Sequence, residues 1–238
     1  MVDTGTGGAG GFFITGTSTG VGKSYVGAMI AHVLVRAGLR VGVYKPVESG
    51  CARDGGELMA ADARMLWQAA GQPGELQYVC PQRFEAPLAP PQAAALEKRV
   101  VDAPLLRSGF GYWRERSDIV LVEGAGGLMS PLSAADYNID LARDLGLPLV
   151  IVAANELGAI NATLQTLITA RALAAELPVA GIVLNQSRQL TADHSTSTNA
   201  AQLRLHCEVP LLATVGHRQQ ALETDSDWKA LAGCGSAR

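Results

Sequence analysis

Aromatic side chains are scarce in this chain: Phe, Trp and Tyr together make up 5% of its 238 residues. A core built on rings is therefore excluded, and Val, Leu, Ile and Ala must fill it, with tight turns wherever the 27 glycines fall. Charged residues are also few, 17% against 48% apolar, which excludes disorder for most of the chain. A net charge of −3 excludes a large electrostatic footprint for nucleic acid, although it leaves room for a local basic pocket. No apolar run is long enough to span a bilayer; the longest, Leu145 to Ala154, is broken by Gly146 and Pro148. The opening MVDTGTGGAG lacks a basic stretch followed by an apolar one, so no signal peptide is expected. Cys51, Cys80, Cys207 and Cys234 form no C-x-x-C pair, which argues against a zinc or redox motif and fits a reducing cytoplasm.

What remains is a length suited to one sizeable core and a composition suited to a buried parallel sheet covered by helices. Residues 1–10, rich in Gly and without periodicity, are expected to form a flexible tail, and residues 11–238 a single α/β domain. Phe12 to Ile14 predict a buried strand ending at Gly16. Val26, Met29, Ile30, Val33 and Leu34 recur at helical spacing from Lys23 until Gly38. Arg40 to Lys45 predict the next strand, closed by Pro46, so the start is a right-handed parallel crossover. Further strands are predicted at Ile119 to Val122, Leu149 to Ala153, Val179 to Asn185 and Leu211 to Val215. Helices are predicted at Leu58 to Ala70, Gln92 to Leu96, Pro104 to Arg116, Asn138 to Leu145 and Thr163 to Glu176. Residues 71–91 and 186–199 read as loops.

The sharpest chemical signal is Gly16-Thr17-Ser18-Thr19-Gly20-Val21-Gly22-Lys23-Ser24, leaving a predicted strand and opening a predicted helix. Small residues let successive N–H groups turn inward around phosphate oxygens, and a helix start favours anions. Lys23 then offers a cation for phosphates and Ser24 a hydroxyl for Mg²⁺. The usual spacing would put the first Gly at position 17, where Thr17 stands; Gly16 comes one residue early. Lys45 and Glu123 end predicted strands, at the carboxyl edge where open α/β sheets bind ligands. Each has a plain alternative, a lysine reaching solvent and an acid bonded to a neighbouring turn. Asn185 could read an adenine edge or merely shape a turn. Ser49 and Asp62 taken alone are better read as a turn residue and a solvated helix acid. The four histidines are widely separated, and nothing pairs them with a nucleophile.

Taken in order, GTSTGVGKS, YKPVESG, VEGAGG, ELGAIN and VLN resemble the dethiobiotin synthetase family over roughly residues 11–185. The early Gly is that family's own form of the phosphate loop, and KPVESG with LGAIN is its more specific signature. The resemblance implies a P-loop NTPase fold and a homodimeric, cytoplasmic, ATP- and Mg²⁺-dependent ligase of biotin synthesis. It implies joining CO₂ to 7,8-diaminononanoate and closing a cyclic urea, with no nucleic acid or membrane involved. Carried over, it places Thr19, Gly20, Val21, Gly22, Lys23, Ser24 and Tyr25 on the triphosphate and Ser24, Asp62 and Glu123 around Mg²⁺. Lys45 and Lys23 become the catalytic lysines, and Gly124, Ala125 and Gly126 approach the nucleotide. Asn185 contacts adenine, Gly216, His217 and Arg218 close over the base, and Ser49 contacts the substrate. Gly158, Ala159, Ile160 and Asn161 reach the substrate's carboxylate end from the partner subunit. Glu156 departs from the pattern, which leads one to expect a basic or neutral residue before Leu157-Gly158. A nucleotide-switch ATPase of the partitioning type is the alternative, sharing the phosphate loop but usually needing a partner protein, DNA or membrane surface.

Overall fold

The computed structural model describes residues 9–189 and 193–233. Much of the tail at residues 1–10 therefore lies outside the described residues. Its last residue, Gly10, already pairs with Ile119 in the first strand.

Strand β1 (Gly10–Gly16) is followed by helix α1 (Lys23–Arg36) and strand β2 (Val41–Tyr44). Two residues later comes β3 (Val47–Glu48), then a hairpin of β4 (Ala52–Asp54) and β5 (Glu57–Met59), then α2 (Ala61–Ala69). The predicted helix from Leu58 to Ala70 is thus shortened at its start: Leu58 and Met59 belong to β5. Gly55 and Gly56 both adopt positive φ, 56° and 92°, which suits a tight two-residue hairpin turn. Residues 71–91, expected to be loop, contain the short α3 (Leu76–Val79) and β6 (Gln82–Arg83), which pairs with β3. Arg83 holds this segment in place by donating to the carbonyls of Cys80, Leu58 and Leu76. Local periodicity carries no trace of such long-range support.

Helix α4 (Pro90–Leu96) starts with prolines at positions where no N–H is needed, and Asp102 caps α5 (Ala103–Arg114) by accepting from the Leu105 amide. Strand β7 (Ile119–Gly127), α6 (Asn138–Leu145), β8 (Leu149–Ala154), α7 (Ala159–Leu173) and β9 (Val179–Asn185) complete the alternation. A 3₁₀ turn at His194–Ser197 and α8 (Asn199–His206) follow, then β10 (Leu211–Val215) and α9 (Trp228–Leu231). Both α8 and α9 escape the sequence reading; each is short, and α8 has little amphipathic pattern.

The central sheet is parallel, in the order β10-β9-β8-β1-β7-β2. Its middle strands are buried on both faces: Phe12, Phe13 and Ile14, Val120 to Val122, and Val150 to Val152 are almost wholly inaccessible. Helix α1 lies close to the sheet and to α2 at Gly27, where a Cβ would sit 2.9 Å from Leu66 and 3.1 Å from Ile14. The register matters for chemistry. Tyr44 pairs with Val122 and Ile14 with Glu123, so Lys45, Glu123 and the phosphate loop leave the sheet side by side.

Candidate active site

The loop from Gly16 to Ser24 bridges β1 and α1. Its Thr17 amide donates to the Val152 carbonyl at 3.0 Å, so β8 fixes the turn. Gly20 and Gly22 have φ of 77° and 88°, and a Cβ at Gly22 would collide with the Asn185 amide. Gly22 is also the N-cap of α1, which has neither a side-chain cap nor an acid in its first turn. Such an uncapped helix start offers free N–H groups to an anion. Lys23, buried, bends back so that Nζ donates to the Ser18 carbonyl at 3.3 Å. Burial lowers its ammonium below the ordinary lysine value, with the Lys45 charge acting the same way and Glu123 opposing both.

Beside the loop lies a compact charge cluster. The Lys45 ammonium donates to Glu123 Oε1 at 2.6 Å, and the Ser24 hydroxyl donates to the same oxygen at 2.8 Å. Asp62 Oδ2 stands 3.5 Å from Lys45 Nζ. Lys45 and Glu123 are 3% and 1% exposed, whereas the Asp62 side chain is 48% exposed. Burial alone would lower the Lys45 ammonium, but Glu123, Asp62 and Glu48 together hold it above its ordinary value. Lys45 therefore stays charged. Glu123 Oε2 is buried with no hydrogen-bond partner among the described residues, and a buried carboxylate oxygen left bare is costly. Together with Ser24 and Asp62 it offers hard oxygen donors, which fit Mg²⁺. No cluster of three or more His, Cys, Asp or Glu side chains able to hold a metal occurs among the described residues. A cation here would thus draw on these oxygens, on phosphate and on water. A cavity of about 410 Å³ is lined by Thr17 to Val21, Glu156 to Ala159 and Arg188. A second one of about 340 Å³, sharing Thr19 and Gly20 with the first, is lined by Lys23, Ser24, Lys45, Ser49, Asp62 and Glu123.

Two supporting residues escape the sequence reading. Asn138, buried at the start of α6, accepts from the Ala125 amide and donates to the carbonyls of Ala125, Gly127 and Ser130. It thereby sets the shape of the Gly124–Gly126 segment, where Gly124 leaves room for its amide. Glu48, buried beside Lys45, accepts from the amides of Asp62 and Ala63. Neither has a signal in its neighbouring sequence, where Asn138 follows Asp136 and Tyr137 and Glu48 lies between Val47 and Ser49.

The remaining predicted residues are placed as follows. Ser49 is in the Lys45 cavity, its hydroxyl donating to the Leu88 carbonyl at 2.6 Å. Asn185 donates to the Val21 carbonyl at 2.8 Å, binding the end of β9 to the phosphate loop, while its Oδ1 is buried without a hydrogen-bond partner among the described residues. Gly216 donates to the Gln219 side chain, Arg218 has a φ of 57°, and the Tyr25 hydroxyl donates to the Gln219 carbonyl, so α1 and the 216–219 turn are joined. His217 is half-buried in that turn. Gly158 caps α7 with a φ of 96°, Ala159 is buried, and Asn161 is exposed. The Gly158–Asn161 segment does not line the Lys45 cavity. Glu156 is neutralised by Arg188, whose guanidinium lies 2.7 Å away.

A phosphate loop at the centre of a parallel sheet, with an acid on the neighbouring strand facing it, defines a P-loop nucleotide-binding enzyme. Residues 10–223 match the family described as AAA domain. An ATP-dependent dethiobiotin synthetase from Rhodopirellula baltica is 44% identical over 215 residues, spanning 86% of this chain and 83% of that one. The enzyme of the same name from Bacillus subtilis is 36% identical, with 85% of each chain covered. Solved structures share the fold: a putative plasmid partition protein from Borrelia burgdorferi, bound to AMPPNP, superposes with a TM-score of 0.53 at 13% identity, covering 94% of this chain and 95% of that one. The chain belongs to the ATP-dependent dethiobiotin synthetase family and is an ATP-dependent ligase.

Proposed function

We propose that the enzyme carboxylates 7,8-diaminononanoate with CO₂ and closes the product to the cyclic urea dethiobiotin, converting ATP to ADP and phosphate. The observation that carries this reading is the shared cavity of the phosphate loop, the Lys45–Glu123–Asp62 cluster and Ser49. A neutral amine of the substrate adds to CO₂ and gives up a proton from its nitrogen to solvent, becoming a carbamate anion. A carbamate oxygen then attacks the γ-phosphorus, the bond from that phosphorus to the β-bridging oxygen breaks, and ADP leaves. The resulting carbamic–phosphoric anhydride has a good leaving group. The second amine attacks its carbonyl carbon, the C–O bond to phosphate breaks, the attacking nitrogen gives up a proton, and the ring closes.

Two anions must approach each other in this scheme, so the protein's task is to position them and neutralise charge. The Lys45 ammonium, held above its ordinary value by the carboxylates around it, suits the meeting point of carbamate and γ-phosphate, and Lys23 with the N–H groups of the loop suits the phosphates. Bound Mg²⁺ would be held by Ser24, Asp62 and Glu123 and would supply positive charge to the triphosphate oxygens. Ser49 is assigned to the diamine, Asn185 and Gly216–Arg218 to the base, and Thr19–Tyr25 with Gly124–Gly126 to the triphosphate. Gly158–Asn161 lie outside the Lys45 cavity, which supports their serving the carboxylate end in a partner subunit's site. The active unit in this reading is a homodimer. No helix among the described residues is long and apolar enough to cross a membrane. The unpaired Cys51, Cys80 and Cys207 fit the cytoplasm, where thiols stay reduced.

The decisive measurement follows oxygen. Phosphate released from ¹⁸O-bicarbonate should carry one labelled oxygen, and the cyclic urea should keep another, provided the reaction outpaces exchange with water. A nucleotide-switch ATPase uses water as the attacking oxygen, so its phosphate would carry no such label. Phosphate release that needs neither diamine nor bicarbonate would favour the switch.

A further inference from the structure

We propose that Glu48 is a positioning residue that sets Asp62 against Lys45 by capping α2 from a different element. This rests on the reading of Asp62 as one of the oxygens facing Mg²⁺. Asp62 is half exposed and meets Lys45 only at 3.5 Å, so its own packing does little to hold it. Its place is set by its helix. Helix α2 has no local cap, because Ala60 occupies the N-cap position. Instead Glu48 Oε1 accepts from the Asp62 amide at 3.1 Å and Oε2 from the Ala63 amide at 3.0 Å. A carboxylate at a helix start satisfies orphan amides and meets the positive end of the helix dipole.

The origin of this cap is the informative point. A Ser or Asp is the usual local cap, but position 60 is held by Ala60, which is wholly buried. Here a carboxylate is buried to 6% exposure on β3, three residues after Lys45 and next to Ser49. Strand β3 is itself held by β6, and the Phe84 amide donates to the Glu48 carbonyl at 2.9 Å. The buried Gln82 then ties β6 to the start of α5 through Asp102. Burial raises the Glu48 carboxyl above its ordinary value, opposed by Lys45 and the two amides, so this arrangement is a costly way to cap a helix. What it adds over a local cap is a fixed relation between Asp62 and the Lys45–Ser49 stretch.

The test is Mn²⁺ binding, followed by its electron paramagnetic resonance signal on the full chain holding a non-hydrolysable ATP analogue. Glu48→Gln keeps the length and one acceptor oxygen but loses the charge. It should weaken Mn²⁺ binding about tenfold, the usual loss when a partner behind a metal ligand is removed. Asp62→Asn should weaken it by at least as much, and Glu48→Gln should then add little in the Asp62→Asn background. Amide exchange at Asp62 and Ala63 should speed up in Glu48→Gln. Unchanged Mn²⁺ affinity in Glu48→Gln, or an undiminished effect in the double variant, would overturn the proposal while leaving Asp62 a ligand. Unchanged affinity in Asp62→Asn would instead remove Asp62 from the metal and the proposal with it. Should Glu48→Gln fail to fold, Glu48→Asp, which keeps the charge but is one methylene shorter, enters the same comparison with the same expected pattern.

Discussion

Lys45 and Lys23 carry the same charge in opposite circumstances. Lys45 is surrounded by carboxylates and is held charged, so its removal should act on the chemical step. Lys45→Ala is expected to lower kcat about a hundredfold or more, with the KM for ATP changing far less, as for loss of one preorganised charge at a reacting oxygen. Steady-state kinetics check this, and a near-normal kcat would remove Lys45 from the reaction. Lys23 is lowered by burial, so without nucleotide it is partly neutral in an alkaline window below the ordinary lysine value of 10.5. A bound triphosphate favours the ammonium and raises its pKa. Nucleotide binding in that window should therefore take up protons. Calorimetry in buffers of different ionisation enthalpy should find uptake in the wild type and less of it in Lys23→Ala.

Segments between strands do more here than connect them. The loop after Glu123 is held chiefly by the Asn138 side chain, reaching from the next helix, with the Ser130 hydroxyl accepting from the Gly127 amide. Replacing Asn138 by Ala would strand buried backbone groups at a cost of about 3 kcal/mol, a fall of about 6–12 °C in Tm for a chain of this size. Calorimetry decides it; an unchanged Tm would show that water replaces the amide. The proposed cation site is also divided among elements, with Ser24 on α1, Asp62 on α2 and Glu123 on β7. Asp62→Asn and Glu123→Gln should be non-additive in activity, and raised Mg²⁺ should partly restore each single variant. Full additivity with no response to Mg²⁺ would separate Asp62 from Glu123.

Assembly is where the proposed site reaches beyond one chain. Gly158 lines the cavity beside Thr17 to Val21 and not the one that holds Ser49, and Asn161, in the first turn of α7, is exposed. If they complete a partner's substrate site in a symmetric dimer, inactive Lys45→Ala and inactive Asn161→Ala subunits should restore activity when mixed. A heterodimer would then hold one intact site and one doubly damaged site, and activity should rise towards half the wild-type value in the heterodimer fraction. Heterodimers shown by mass to form, yet wholly inactive, would refute a shared site.

Much of this protein is legible along the chain because its signals are local. Buried parallel strands leave continuous apolar runs, and Asn138–Leu145 and Leu211–Val215 come out with the predicted bounds. The phosphate loop is legible too, since its chemistry needs Gly and Lys at fixed spacing. Lys45 and Glu123 could be suspected because each follows a predicted apolar strand; β7 in fact runs on past Glu123 to Gly127, and register brings the two side chains to 2.6 Å. Other features depend on contacts between distant residues. Glu156 looks misplaced until Arg188, far along the chain, is found paired with it. The hairpin at 52–59 displaces the start of α2, and Arg83 gives form to a stretch that reads as loop. Asn138 and Glu48 carry no periodic signal, since what defines each is the backbone it satisfies after folding. A buried polar group must find its partner wherever the fold delivers one, and that delivery is a property of the packed chain, invisible in any short window of it.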